Sequence, residues 1–249
     1  MKFALLVCYD GTNYGGWQIQ KNAVTVQEKL TLALEKVLGK KVAVNASGRT
    51  DSGVHARGQV CCFCADTDIP AERFADAINF HLPDDISVLK SCAVEDSFDA
   101  TSGAKRKTYC YRIYLSKRRN PLKDRYSQQV KFALDTDKLK EGAKLFVGEK
   151  DFKAYCAAGS SVKTTVREIY SLQVLKNGED ISFWVTGNGF LYNMVRTMIG
   201  TLIDYSAGRL EKRDIINSLT NGDRASVGKT MPSKGLTLES AEYGVKLFI

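Results

Sequence analysis

Apolar residues run from Phe3 to Cys8 and stop at Tyr9-Asp10-Gly11, a pattern of the right length for a first strand over 3–9. A loop rich in glycine and aromatic residues follows over 10–18. Thr25-Val26-Gln27-Glu28 has the form of a capping box, and Val26, Leu30, Ala33, Leu34 and Val37 keep helical spacing as far as Gly39, so a helix is predicted there. Residues 42–46 and 59–65 read as strands on either side of a loop at 47–53. Pro70 opens a second helix, which runs through Phe80 and closes at Leu82-Pro83. Further strands are predicted at 86–94 and 108–115.

The second half alternates in the same way. Residues 117–125 form a basic loop containing Pro121, and Leu139, Ala143 and Phe146 mark a helix over 135–146 that ends at Gly148. Strands at 166–175 and 181–186 flank Lys176-Asn177-Gly178, a strong hairpin signal. Residues 190–205 form a largely apolar helix, interrupted by Asn193, Arg196 and Asp204 and so unsuited to span a membrane. A short helix near 212–219 and a strand over 236–245 complete the chain. Strands joined by hairpins and separated by helices predict an α+β fold of two halves sharing an antiparallel sheet, with the boundary at 104/105.

Composition narrows this picture. Hydrophobic residues make up 44% and charged residues 26% of the 249, ordinary values for a soluble globular protein. No apolar run approaches the ~20 residues of a membrane span. The first apolar run is too short for a signal-peptide core, so a cytoplasmic protein is expected. Seven cysteines, an odd number, argue against a complete disulfide framework. Cys61, Cys62 and Cys64 lie within a strand pattern. With no second cysteine pair at zinc spacing and only two histidines, buried free thiols are the expectation and no metal site is predicted.

The net charge of +8 is carried by one stretch. Lys105, Arg106, Lys107, Arg112, Lys117, Arg118, Arg119, Lys123 and Arg125 face Asp124 alone, and Tyr109, Tyr111 and Tyr114 are interleaved with them. Such a pattern fits a nucleic-acid surface. It fits equally an edge strand guarded by cations against aggregation.

Two motifs fail on inspection. Gly222 to Thr230 resembles a phosphate-binding loop, but five residues separate its glycines, Pro232 follows where a helix should begin, and no strand precedes it. Asp51, Ser52 and His55 have the residue types of a catalytic triad, yet near neighbours in one tight loop seldom reach triad geometry, which leaves His55 a structural role. The stretch Ser47-Gly48-Arg49-Thr50-Asp51-Ser52-Gly53-Val54-His55-Ala56 remains. Its glycines permit a tight loop that holds Asp51 outward, where an ionised carboxylate serves as nucleophile or base. An Asx turn with a surface ion pair is the plainer alternative, and on residue chemistry alone the commoner one.

This stretch, with Gly58-Gln59-Val60 shortly after it, closely resembles the signature loop of the tRNA pseudouridine synthase A family. Lys107-Thr108-Tyr109-Cys110-Tyr111 resembles that family's tyrosine-bearing strand. Gly187 to Arg196 resembles its helix with a basic residue, and Gly235 to Tyr243 its closing strand. Tyr9-Asp10-Gly11-Thr12, Trp17-Gln18 and Thr25-Val26-Gln27 fit as well, so the landmarks run in family order across nearly the whole chain.

The resemblance implies the pseudouridine synthase fold, with two ferredoxin-like halves on an extended antiparallel sheet and helices on one face. It implies isomerisation of uridine to pseudouridine in the anticodon arm of tRNA, conventionally at tRNA positions 38–40, without metal, cofactor or nucleotide. Asp51 would be the essential carboxylate, attacking the sugar or the base, or acting as a base at the sugar. Tyr109 would stack on the flipped uracil and help remove a proton, and Leu236 would cover the ring's other side; either is otherwise plain core. Arg196, in an apolar helix, would pair with Asp51. Arg49, Phe98, Lys105, Arg106 and Lys107 would contact RNA, although the two arginines could exchange roles. A homodimer clamping one tRNA is also implied.

Departures bear on the substrate. Phe98-Asp99-Ala100-Thr101 stands where the family commonly has Phe-His-Ala-Arg, replacing two potential cations. Lys150 stands for a histidine, and Met231-Pro232-Ser233 for Ala-Pro-Ala. A shifted RNA target and a non-catalytic RNA-binding paralogue are the rival readings.

Overall fold

A computed structural model describes residues 1–157, 159 and 162–248. It is a mixed α+β structure on a mostly antiparallel sheet, as the sequence pattern leads one to expect. Its contacts divide the chain into two units, Met1–Lys107 with Thr237–Ile249, and Thr108–Leu236. The sequence reading divides the chain once, at 104/105. The contacts divide it three residues later and return the closing strand to the first unit.

In the first unit the strands are β1 (Lys2–Tyr9), β2 (Asn45–Ala46), β3 (His55–Cys64), β4 (Ile86–Val94) and β10 (Leu236–Tyr243), in the order β4-β1-β3-β10 with β2 beside β3. Alternate residues of β1 enter the core: Phe3, Leu5, Val7 and Tyr9 are all buried. Phe3 meets Phe63 of β3 at 5.4 Å and Phe74 at 4.7 Å, and Phe63 and Phe74 close the triangle at 5.3 Å. Phe74 opens α2 (Phe74–Asn79), so this cluster fastens helix to sheet. The other helix, α1 (Val26–Leu38), begins with the capping box of Thr25 and Glu28 and buries Val26, Leu30, Ala33 and Leu34. Each buried leucine contributes about 1.5–3 kcal/mol of transfer free energy.

Several boundaries differ from the sequence pattern, two of them for identifiable reasons. β2 is two residues long, where 42–46 was expected, because the Val44 carbonyl accepts a hydrogen bond from the Gln27 side chain (2.8 Å) instead of a strand partner. β3 starts at His55, four residues earlier than expected, because Thr237 and Leu238 of β10 pair with His55 and Ala56 from the far end of the chain. That pairing is parallel.

In the second unit the order is β5-β9-β8-β7, with β5 (Ala104–Leu115), β7 (Gly148–Asp151), β8 (Val166–Asn177) and β9 (Asp180–Gly187); β6 (Gln128–Val130) runs parallel to β5. The expected hairpin forms, closed by Asn177 and Asp180. The basic loop contains α3 (Pro121–Asp124), capped by Asn120. Helices α4 (Thr136–Leu145), α5 (Met194–Ser206) and α6 (Lys212–Thr220) follow. Nearly every residue of α5 is buried, and among the described residues no helix is long and apolar enough to cross a membrane.

The segment set aside as a false phosphate loop has a packing role. Its end, Gly228–Met231, lies as a strap across α5. The Gly228 amide donates to Thr201 Oγ1 (3.0 Å), Thr197 and Thr230 hydroxyls meet at 2.9 Å, and the Met231 amide donates to the Arg196 carbonyl (3.2 Å). The approach requires glycine at position 200, where a Cβ would stand 1.8 Å from the Lys229 carbonyl oxygen.

Candidate active site

The loop that carries Asp51 is fastened at both ends. At its stem the buried Gln59 side chain accepts from Ser47 Oγ (2.5 Å) and donates to the Gly48 carbonyl (2.7 Å), while the Ser47 amide donates to the Val60 carbonyl (2.8 Å). Next to Asp51, the buried Thr50 hydroxyl meets Tyr9 Oη at 2.8 Å and the Thr50 carbonyl accepts the Trp17 amide at 3.1 Å. Beyond it, the Gly53 amide and Ser52 Oγ both bond the Tyr14 carbonyl (3.2 Å each), and the Val54 amide returns to the Asp51 carbonyl (3.1 Å). A β-bulge between Val7 and Tyr9 shifts β1 by one residue just where it meets this loop. The result is a half-buried Asp51 whose two neighbours are held from different directions.

His55 is buried and accepts the Gly11 amide at Nδ1 (3.0 Å), the structural role expected of it. Of the cationic candidates in this unit, Arg49, Lys105 and Arg106 are exposed. Lys107 is half-buried and lies on the loop itself: a Cβ at Gly48 would be 3.3 Å from its Nζ. Phe98, expected to meet RNA, is half-buried and packs on Tyr243 of the closing strand at 5.0 Å.

The departures Asp99 and Thr101 have local work. Asp99 Oδ1 accepts from the Thr101 and Ser102 amides (2.9 and 2.6 Å) and from Ser102 Oγ (2.8 Å), and these bonds hold its carboxyl below the usual range. Thr101 Oγ1 donates to the Ala46 carbonyl (2.7 Å), the residue before the Asp51 loop. An acid and a neutral residue here tie the loop's stem to a turn.

In the second unit β5 buries Tyr109, whose ring meets Phe190 edge-on at 5.2 Å. Tyr111, two residues on, donates from Oη to the Pro232 carbonyl (2.8 Å), and burial keeps its phenol protonated far above the ordinary range. Leu236 is buried where β10 begins. Arg196 lies in the first turn of α5 and is half-buried. Its Nε donates to the Met231 carbonyl and its Nη1 to Asn193 Oδ1, both at 2.6 Å. Asn193 and Gln59, which orient these groups, were not anticipated. For Gln59 the available hints were a polar residue within an apolar strand and its place in the Gly58-Gln59-Val60 match.

The basic loop divides between the two readings of its charge. Lys123 pairs with Asp180 (2.6 Å) and the exposed Arg119 with Asp124 (3.2 Å); Lys117, Arg118 and Arg125 are exposed as well. Cys61 and Cys62 are buried free thiols raised by burial; Cys64, at the end of β3, is exposed.

The sequence model of the tRNA pseudouridine synthase family matches residues 5–101 and 143–244, most of the chain, with Asp51 and Arg196 inside the matched segments. The chain belongs to this family. Among curated family members, tRNA pseudouridine synthase A of Ruminiclostridium cellulolyticum is 46% identical over 97% of this chain and 99% of its own length. The proteins of the same name from Thermoanaerobacter sp. and Geotalea uraniireducens are 44% and 41% identical, each over 96% of this chain and 98% of their own length. The pseudouridine synthases thus share with this chain a whole-length likeness, not that of one motif.

Proposed function

We propose that this protein is a tRNA pseudouridine synthase acting on uridines of the anticodon stem-loop, at tRNA positions 38–40, with Asp51 as its essential carboxylate. The reaction breaks the bond between uracil N1 and ribose C1′ and makes one from C5 to C1′. The C5 hydrogen leaves to water and N1 gains a proton, so the product is an isomer and no oxidant or cofactor is consumed. A stacked base cannot reach a carboxylate, so the target uridine is flipped out of the helix.

The observation that carries this reading is the fastening of the Asp51 loop on both sides. A surface Asx turn needs no buried Tyr9–Thr50 bond and no buried glutamine at its stem. A nucleophile does need a fixed origin, because misplacement of about 1 Å costs about 100-fold in rate. In this scheme Arg196 is the cationic partner of Asp51, Tyr109 stacks on the uracil and assists proton removal, and Leu236 covers its other face. Arg49, Phe98, Lys105, Arg106 and Lys107 contact the RNA. By the same resemblance the enzyme works in the cytoplasm as a homodimer; a clean monomer by sizing at working concentration would remove the two-subunit clamp.

A second reading, a shifted RNA target, is favoured by Asp99 and Thr101, which bind the protein's own backbone where the family pattern offers cations. Primer extension on carbodiimide-treated tRNA separates the two. Stops at 38–40 after incubation support the proposal, and stops confined to other uridines support the shifted target.

A further inference from the structure

Among the described residues, Asn193 is the one non-glycine with a positive φ, at φ +61° and ψ +5°. The left-handed region is costly for most side chains, and asparagine is one of the few that tolerate it. Asn193 occupies the N-cap of α5, where an asparagine ordinarily bonds a free helix amide, yet its side chain makes no such bond. Its Oδ1 instead accepts from Arg196 Nη1 at 2.6 Å, while Nε of the same guanidinium donates to the Met231 carbonyl. Two bonds from different nitrogens of one rigid planar group fix its plane and its rotation.

We propose that Asn193 is a positioning residue for the reaction: its amide oxygen sets the orientation of Arg196. This rests on the reading of Arg196 as the partner of Asp51. Glycine would satisfy the backbone at this position without strain, so what asparagine adds is the oxygen. The backbone part of the cap is independent of the side chain, since the Thr197 amide donates to the Asn193 carbonyl at 3.0 Å. Removing the side chain therefore separates the two roles.

The experiment compares Asn193→Gly, Asn193→Asp and Arg196→Lys in the full-length protein. It reads kcat and KM from release of tritium from C5-labelled tRNA, and stability from thermal unfolding. Asn193→Gly should unfold at or near the wild-type temperature, keep KM, and lose kcat by about 10- to 100-fold. Asn193→Asp, which tolerates the same backbone and keeps an oxygen in place, should recover most of that loss. Wild-type kcat in Asn193→Gly beside a loss in Arg196→Lys would overturn the role of Asn193 alone. An Asn193→Asp no better than the glycine variant would do so too. Wild-type kcat in Arg196→Lys would overturn the reading of Arg196 and this inference with it.

Discussion

Tyr9 and Thr50 share a buried hydrogen bond, Oη to Oγ1 at 2.8 Å, one residue before Asp51. It joins the end of the first strand to the loop that presents the carboxylate. Replacing Tyr9 by Phe leaves the Thr50 hydroxyl buried without this partner, which should cost about 1–3 kcal/mol in denaturant unfolding. Adding Thr50→Val removes the orphaned hydroxyl, so the double variant should be more stable than additivity of the two singles allows. Both singles should lower kcat more than they raise KM.

Gly16 takes φ +91°, and a Cβ there would lie 2.4 Å from the Thr50 carbonyl oxygen. Alanine meets both backbone strain and a clash with main chain that cannot swing aside. Gly16→Ala should cost about 2–4 kcal/mol and displace the Asp51 loop, seen together as a lower unfolding midpoint and a lower kcat.

Gly200→Ala sets two effects of opposite sign against each other. Inside a helix, alanine is favoured over glycine by about 1 kcal/mol. Here its Cβ would approach the Lys229 carbonyl to 1.8 Å, so the strap must move or the helix must bend. Overpacking of this kind costs about 1–3 kcal/mol or more, so the net effect should be destabilising. The displaced strap carries the Met231 carbonyl that holds Arg196, and kcat should fall with stability. A thermal scan in which Gly200→Ala gains stability would contradict the packing described.

Asp124 gathers Lys234 Nζ (2.7 Å), Arg119 Nε (3.2 Å) and Tyr114 Oη (3.2 Å), and the Lys234 hydrogen bond is the largest cause of its lowered pKa. A carboxyl lowered on folding stabilises above its unfolded value, about 3.9, and that stability is lost as pH falls toward the folded value. Asp124→Asn should therefore be less stable than wild type at pH 7 by about 1 kcal/mol, and the gap should close below about pH 4. Thermal midpoints of both proteins from pH 7 to pH 3 give the comparison.

What could be read from the sequence was what local pattern encodes. The capping box at Thr25, the hairpin at Asn177 and the limits of β4 follow from residues that act on near neighbours. The early start of β3 could not be read, since it depends on Thr237 and Leu238 far along the chain. Nor could the short parallel strand β6, which has too few residues to show a period. At the candidate site, the loop around Asp51 was legible as a family signature in the sequence itself. Asn193 was not: nothing in its neighbours announces a left-handed cap, and its partner is set by the fold of the first turn of α5. Asp99 and Thr101 were visible as departures, but their bonds to Ser102 and Ala46 appear only once the turn is built.

The most direct measurement incubates wild-type protein and Asp51→Ala, without metal or nucleotide, with unmodified tRNA labelled with tritium at uridine C5. Wild type should release tritium to water. The variant should bind the tRNA with the same salt dependence and release none. Release by Asp51→Ala at the wild-type rate, with its fold intact by circular dichroism, would contradict the assignment of this carboxylate as the centre of the chemistry.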